Sequence, residues 1–189
     1  MTDLGILSDN EDVIANAISD VMGAHDVIVT SGGVSAGEED HVKAAINRHG
    51  QIHFWRLAIK PGRPIALGQL NDAVFIGLPG NPVAAMVTFM VIARPVLLML
   101  MGAVETLTPR YNVTADFEYK KKIGRREWVR AMLSSRSGAD LIVKKFHSSG
   151  AGVLTSMVEA SGLVELPEDL ESVTPGDIVQ FLPFNEVSG

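Results

Sequence analysis

Cysteine is absent from the 189-residue chain. A disulfide framework and a metal site with thiolate ligands are therefore excluded, because both need cysteine side chains. This absence fits a reducing compartment, and we expect a cytoplasmic location. Aromatic residues make up only 6% of the chain, whereas 47% is hydrophobic and 20% is charged, as in an ordinary globular protein. A chain of this length can bury the core of one large or two small domains.

The sequence also has few features that indicate a membrane. The N-terminal segment MTDLGILSDNED has neither a basic region nor an apolar core, so it does not resemble a signal peptide. The longest apolar segment, residues 83–101, contains Arg94 and Pro95 near its middle. We interpret it as a buried helix and expect no membrane partner, with a membrane span as the second interpretation.

Basic residues are concentrated in one part of the chain. Nine of the 16 lie between Lys120 and Lys145, where the acids are Glu127 and Asp140. Such a surface could attract phosphates, and nucleic acid is one possible partner. We interpret the segment as the solvated face of a strand and expect no nucleic acid partner.

Helix and strand patterns alternate in the first half of the chain. Ile6 and Leu7 resemble the end of a strand, and residues 8–11 have the S-x-x-E form of a helix-capping box. The pattern then predicts helices over residues 11–22, 40–49 and 82–101, the last kinked at Pro95, and strands over residues 27–29, 52–59, 65–70 and 73–78. This order predicts an α/β domain, residues 1–105, with some parallel strands.

Helical periodicity is missing from the second half. Short β-rich segments follow one another at residues 111–119, 127–133, 141–146, 163–166 and 178–182. Polar or Gly/Pro turns separate them. This pattern predicts a small β-barrel or sandwich as a second domain, residues 106–189.

The segment TSGGVSAG, residues 30–37, lies between a predicted strand and a predicted helix, where open α/β sheets bind ligands. Gly32 and Gly33 allow positive φ, and the free N–H groups of such a loop can bind an anion. Ser31 and Ser35 could add hydroxyl donors. The segment lacks the lysine of a P-loop and the glycine spacing of a dinucleotide site, so a plain strand-to-helix turn is the alternative.

The segment GLPGNP, residues 77–82, repeats the order of strand, loop and helix. Asn81 is a good N-cap and Pro82 a good first helical residue, which is a sufficient structural reason for both. Two such loops at strand ends of one sheet would nevertheless lie close together and form one crevice.

The segment WRLAIKPGRP, residues 55–64, places three cations around a strand end: Arg56, Lys60 and Arg63. Strand alternation puts Arg56 and Lys60 on the same face. Buried cations need partners, and the candidates are Asp9, Asp40 or a bound anion. A structural ion pair with Asp40 is the alternative to anion binding.

Together, TSGGVSAGEEDH, FWRLAIKPGRPIALG and FIGLPGNPVAAMVTF, in this order and spacing, resemble the molybdopterin molybdotransferases, the MoeA family that includes the E domain of gephyrin. GRREWVR and SSGAGVLTSMVEASGLVELP resemble the C-terminal barrel of that family. The resemblance implies a three-layer molybdopterin-binding (MogA-like) α/β domain followed by a small all-β barrel. It covers only the C-terminal portion of the family, because the N-terminal domains and the first strand–helix unit of the α/β domain are missing.

The resemblance further implies insertion of molybdate into adenylylated molybdopterin with release of AMP, assisted by Mg²⁺. The residues expected to hold the pterin and its phosphate are Thr30, Ser31, Gly32, Gly33, Ser35, Gly37, Arg63, Pro79, Gly80, Asn81 and Pro82. The candidate catalytic residues are Asp9, Asp40, Arg56 and Lys60. Cations suit the molybdate dianion, and Asp9 and Asp40 are the carboxylates expected to hold the metal.

Two other functions remain open at this point. One is the related adenylyltransferase that makes adenylylated molybdopterin, and the other is a non-catalytic module that binds a pterin or a partner protein. The missing domains also leave open whether the chain is active by itself. Because the missing strand–helix unit would leave apolar sheet surface uncovered, we expect a homo-oligomer.

Overall fold

The computed structural model describes residues 1–34, 41–54, 56–135, 141–146 and 154–186. The chain divides into two units. The α/β unit comprises Met1–Leu57 and Gly62–Val104, and the barrel unit comprises Ala58–Pro61 and Glu105–Gly189. The short segment Ala58–Pro61 therefore belongs to the barrel unit although the chain around it belongs to the α/β unit.

The α/β unit is built on a four-stranded sheet. Its elements in chain order are α1 (Glu11–Met22), β1 (Val27–Ser31), α2 (His41–His49), β2 (Gln51–Phe54), β4 (Ala66–Leu70), β5 (Ala73–Leu78), α3 (Pro82–Thr88) and α4 (Arg94–Leu100), with β3 (Ile59–Lys60) lying in the barrel unit. The strand order is β1-β5-β4-β2. β1 and β5 are parallel, whereas β4 is antiparallel to both of its neighbours. The strands predicted over residues 65–70 and 73–78 form a hairpin, and the predicted α/β pattern with some parallel strands is confirmed.

Apolar side chains pack on both faces of this sheet. On one face, Ile18 of α1 and Ile46 of α2 join Phe75 of β5 in one buried cluster. Neighbouring residues of a strand face opposite sides, so Ile76 lies on the other face, where it is fully buried and where α3 contacts β5. Helices on both faces of a mixed sheet give the expected three-layer arrangement.

The N-terminal segment differs from its prediction. Residues 1–9 form neither helix nor strand, and Gly5 has a φ of 68°, which is incompatible with an extended strand. The helix cap also lies two residues further along the chain than expected. Asn10, not Ser8, caps α1, because its Oδ1 accepts hydrogen bonds from the N–H groups of Asp12 and Val13.

The single strand predicted over residues 52–59 is wrong, because the segment contains parts of two separate strands. β2 ends at Phe54, and β3 pairs in parallel with a strand of the barrel unit. Arg56 is exposed and lies outside any strand, so Arg56 and Lys60 do not share a strand face. Local pattern predicts that this segment is extended, but it does not say which sheet each part joins.

The long apolar helix begins where predicted. Pro82 is its first residue, and Oδ1 of Asn81 accepts a hydrogen bond from the N–H of Ala84 at 3.3 Å. A wide π-helical turn, Phe89–Ala93, joins α3 to α4 just before Pro95. Proline has no N–H to donate and its ring crowds the preceding turn, which gives the turn its physical reason.

This helix is less buried than predicted. The buried residues lie in α3 and at Ala93, and α4 contributes none. Pro82–Leu100 is long and apolar enough to cross a membrane by length and composition, a test that core helices of soluble proteins also pass.

The barrel unit confirms the predicted all-β domain. The described part of the unit contains the strands β3, β6 (Tyr111–Ala115), β7 (Tyr119–Lys120), β8 (Arg126–Ser135), β9 (Leu141–Lys145), β10 (Gly162–Leu166), β11 (Ser172–Val173) and β12 (Ile178–Pro183), and a short α-helix, α5 (Thr155–Glu159), precedes β10. Five strands close a barrel in the order β10-β12-β6-β9-β8 and back to β10. β3 adds to β8 outside this ring, and β7 pairs with β11.

The basic segment of this unit does not form a simple solvated face. Lys121 is only 8% exposed, and its ammonium donates to the backbone carbonyls of Pro167 (2.8 Å) and Leu170 (2.9 Å). Arg126 forms ion pairs with Glu165 and Glu168. Several of these cations therefore hold the barrel together, because acids and carbonyls distant in sequence fold back onto them.

Candidate functional site

Two loops of the α/β unit meet at one end of the sheet. Because β1 and β5 are parallel neighbours, the loops that follow them leave the sheet at the same edge. The N–H of Gly32 donates to the carbonyl of Leu78 at 3.1 Å, and Oγ of Ser31 lies 3.4 Å from the carbonyl of Pro79. A Cβ added to Gly80 would lie 3.3 Å from Cα of Gly32. The expectation that these two loops adjoin is confirmed.

Glycine is required in the first loop for conformation and for packing. Gly32 and Gly33 have φ values of 87° and 68°, in the left-handed region. A Cβ on Gly33 would lie 2.4 Å from Cγ2 of Val42. Gly33 therefore packs tightly against α2, and neither glycine places a side chain at the surface of the loop.

An open cavity of about 600 Å³ lies beside this loop. Its walls are the N-terminal segment from Thr2 to Asp9, α1, β1 and the loop that follows β1. We call residues 31–34 of that loop the glycine loop. Asp9, Thr30 and Ser31 of the predicted site residues line it together with both loop glycines. Oγ1 of Thr30 is buried and has no hydrogen-bond partner among the described residues.

The second loop supplies a helix start beside the first. Asn81 uses its side-chain oxygen to cap α3, and Pro82 is the first helical residue. These two residues therefore have the structural role that the sequence already indicates. Pro79 and Gly80 are the residues of this loop that contact the glycine loop.

The predicted metal ligands are only partly described. Asp9 is exposed and lines the cavity. Asp40, Ser35 and Gly37 lie outside the described residues. In the part of the chain that the structure describes, no three His, Asp or Glu side chains are placed to hold a metal ion.

The three predicted cations fall into different units. Arg56 and Arg63 are exposed and belong to the α/β unit, whereas Lys60 belongs to the barrel unit. Between them, a Cβ on Gly62 would lie 2.1 Å from Cγ2 of Thr88, so this turn packs tightly on α3. Gly62 also has a φ of 94°, and only glycine satisfies both constraints.

Lys60 has a partner that the sequence did not suggest. Its ammonium donates to Oη of Tyr119 at 3.0 Å and lies 3.4 Å from Oε2 of Glu127. Burial lowers the pKa of Lys60, but the contacts with Tyr119 and Glu127 outweigh it and the pKa is raised overall. One signal could have indicated Glu127, because it is the lone acid between Lys120 and Arg130 and stands beside Trp128 on a strand.

Comparisons with known proteins agree with this architecture. Residues 1–99 match the family described as "Probable molybdopterin binding domain", and residues 112–184 match "MoeA C-terminal region (domain IV)". A molybdopterin molybdenumtransferase of Haemophilus influenzae is 36% identical over 99% of this chain and 46% of its own length. One of Bacillus subtilis is 28% identical over 98% of the chain and 43% of its own length.

A solved structure of a molybdopterin biosynthesis MoeA protein from Pyrococcus horikosii superposes with a TM-score of 0.74 at 26% identity. The superposition covers 95% of this chain and 42% of the Pyrococcus horikosii chain. The chain thus spans less than half the length of these relatives. Both matched domains occur in the order expected, and the chain belongs to the molybdopterin molybdenumtransferase (MoeA) family, with a molybdopterin-binding domain followed by domain IV.

Proposed function

We propose that the protein acts in molybdenum cofactor biosynthesis, in the cytoplasm, by inserting molybdate into adenylylated molybdopterin with release of AMP. The observation that carries this proposal is the meeting of the glycine loop with the Pro79–Gly80 turn beside an open cavity. The longer relatives of Haemophilus influenzae and Bacillus subtilis are named molybdopterin molybdenumtransferases, which supports the proposal.

The glycine loop suits the phosphate of a pterin substrate. The N–H of Gly32 is bonded to the carbonyl of Leu78, so we assign the oxyanion to the N–H groups that follow it in the loop, where glycine lets an anion approach the backbone closely. Thr30 lines the same cavity, and we assign it to the same phosphate. We assign Ser31, Ser35, Gly37 and the Pro79–Pro82 turn to the same ligand, as the family resemblance implies.

Molybdate is a tetrahedral dianion and calls for cations. Arg56, Lys60 and Arg63 are the candidates, since guanidinium and ammonium groups form short, charge-assisted hydrogen bonds with oxyanions. All three side chains are at least partly exposed, so each is accessible to a small anion.

We propose that Mg²⁺ is held by Asp9, a carboxylate that lines the cavity, together with Asp40. Magnesium in proteins is commonly held by one or two carboxylates, with waters and substrate phosphates completing the octahedron. A bound Mg²⁺ would neutralise phosphate charge during cleavage of the adenylate. Asp9 lines the same cavity as the glycine loop, which is the observation behind this assignment.

The proposal is tested by supplying the chain with adenylylated molybdopterin and molybdate and measuring AMP by chromatography. We expect AMP release that depends on molybdate. Consumption of ATP with free molybdopterin would indicate the adenylyltransferase instead. Pterin that co-purifies with the chain and is never turned over would indicate a binding module and contradict the proposed activity.

Substitution of the acids separates chemistry from binding. Asp9→Asn and Asp40→Ala should lose AMP release while pterin binding largely survives, because these side chains act on the phosphates and not on the pterin. Asp72→Asn is the matched control, since Asp72 lies exposed in the β4–β5 turn. Equal loss of binding and turnover in the two site variants would contradict these roles.

A further inference from the structure

Four side chains of the barrel unit form a cluster, in which three of them lie around the buried carboxylate of the fourth. They are Lys60 on β3, Tyr119 on β7, Arg125 just before β8, and Glu127 on β8, and we call them the Lys60 cluster. Lys60 lies directly opposite Glu127 in the parallel pairing of β3 with β8. This register places the acid beside the lysine in the folded barrel.

Glu127 is fixed within this cluster. It is 1% exposed, and its two oxygens have different partners. Oε1 accepts from Nε of Arg125 at 2.9 Å, and Oε2 accepts from the Tyr119 hydroxyl at 2.7 Å. A buried carboxylate held in this way cannot reorient without leaving charges unpaired. It therefore restrains the positions of the side chains that contact it.

Lys60 is held and yet accessible. Its ammonium has three N–H donors, of which one serves Tyr119, while the carboxylate of Glu127 lies 3.4 Å away. The ammonium also lies 5.7 Å from the centroid of the Tyr119 ring. The Lys60 side chain is still 43% exposed, which leaves donor capacity toward solvent.

The cluster carries surplus positive charge. Two cations, Lys60 and Arg125, face one carboxylate, and the Tyr119 phenol is neutral. Burial and the Glu127 hydrogen bond raise the pKa of Tyr119 despite the opposing effect of Lys60. Burial raises the pKa of Glu127, but the hydrogen bonds of Tyr119 and Arg125 and the nearby cations lower it overall. The protonated phenol can therefore donate to the ionised acid while it accepts from Lys60.

We propose that Glu127, together with Tyr119, is a positioning residue that fixes the Lys60 ammonium for a tetrahedral oxyanion substrate. The inference rests on the role of Lys60 in the proposed function. A lysine side chain has four flexible carbons, and restraining it before the anion arrives reduces the entropy lost on binding.

The sign of the effect separates positioning from simple electrostatics. Glu127→Gln removes a negative charge, which by itself would attract an anion more strongly. If Glu127 positions Lys60, the substitution should instead weaken anion binding. Tyr119→Phe removes the hydroxyl between Lys60 and Glu127 without changing any formal charge. Its effect on anion binding therefore reports the loss of positioning alone, without an opposing electrostatic gain.

The matched control is Glu165→Gln. Glu165 is 6% exposed, belongs to the same barrel and is paired with Arg110 and Arg126. The substitution therefore removes the same charge from another buried ion pair, and among the described residues the side chain of Glu165 bonds to Arg110 and Arg126 and not to the Lys60 cluster. A purely structural effect of breaking a buried pair should appear in this variant too.

Two measurements are made on the full chain. The first is titration with molybdate in a calorimeter at fixed ionic strength, with Lys60→Met to identify binding that depends on Lys60. The second is a ¹H–¹⁵N spectrum of lysine ammonium groups at mildly acidic pH and low temperature, in which a restrained ammonium exchanges slowly with water. Circular dichroism confirms that each variant is folded.

We expect about tenfold weaker molybdate binding in Glu127→Gln and Tyr119→Phe, the effect of one lost charge-assisted hydrogen bond. The Lys60 ammonium signal should be present in the wild type and in Glu165→Gln, and absent from both cluster variants. Unchanged affinity and an unchanged signal in the cluster variants would overturn the inference. Absence of molybdate binding in the wild type would contradict the proposed role of Lys60, and the ammonium spectrum would still decide whether Glu127 fixes it.

Discussion

At the scale of single residues, Lys121 holds the segment Pro167–Leu170 in place through hydrogen bonds to its backbone. Its buried ammonium donates to the carbonyls of Pro167 and Leu170, and more weakly to that of Glu168 at 3.4 Å. Lys121→Met keeps the length of the side chain but leaves these carbonyls without their donor. We expect a loss of about 2 kcal/mol in the free energy of unfolding, measured by urea denaturation.

The neighbouring lysine supplies the control. Lys122 is exposed, so Lys122→Met makes the same chemical change without removing a buried donor. Its effect should stay within about 0.5 kcal/mol. Equal destabilisation by the two substitutions would mean that the carbonyl contacts of Lys121 contribute nothing specific.

Residue-scale predictions succeeded where the physics is local. The turn glycines and the Asn81–Pro82 helix start follow from φ preferences and capping, which the sequence displays directly. The partner of Lys60 could not be predicted in this way. It depends on β3 joining the barrel next to Glu127, and no local pattern specifies which strands pair.

At the scale of elements, Gly162 is the position where the barrel closes. It is the first residue of β10 and pairs with both Ala131 of β8 and Pro183 of β12. A Cβ there would lie 2.2 Å from the carbonyl oxygen of Leu182 and 2.6 Å from Cζ of Phe181. Gly162→Ala must push these strands apart, and we expect about 2–3 kcal/mol of destabilisation.

The readout for this substitution is the fluorescence of Trp128, which is buried on β8, in a Trp55→Phe background. Gly23→Ala is the control, because a Cβ at Gly23 meets nothing within 4 Å and its φ is −80°. That substitution should be neutral or slightly stabilising. An unfolding midpoint for Gly162→Ala equal to that of the control would contradict the tight closure.

The positions of the strands were more predictable than the sheet that each strand joins. The hairpin and the five barrel strands show alternation and turn signals, so their positions were largely correct. The predicted strand at residues 111–119 is two strands, β6 and β7, which pair with different partners. The failures at residues 6–7 and 52–59 have the same origin, since a strand forms only where a neighbouring strand pairs with it through backbone hydrogen bonds.

At the scale of the whole molecule, β1 presents an unpaired edge. In the described part of the chain, β1 pairs only with β5, and Val29 on it is 43% exposed. Exposed strand edges template pairing with other chains. We propose that the protein self-associates through this edge, so light scattering at micromolar concentration should detect a dimer or larger species, and Val29→Lys should reduce it. A wild-type chain that stays monomeric would refute this proposal.

The barrel should also fold without the α/β unit. All five strands that close the ring lie between residues 105 and 189, and their core is continuous. β3 adds only to the outside of β8, and Glu127 keeps Tyr119 and Arg125 when Lys60 is absent. A fragment of residues 105–189 should therefore give dispersed NMR signals and a cooperative thermal transition. A fragment ending at Asp177 removes β12, the neighbour of both β10 and β6, and should be unfolded. An unfolded longer fragment would mean that the barrel depends on β3 or on the α/β unit for its stability.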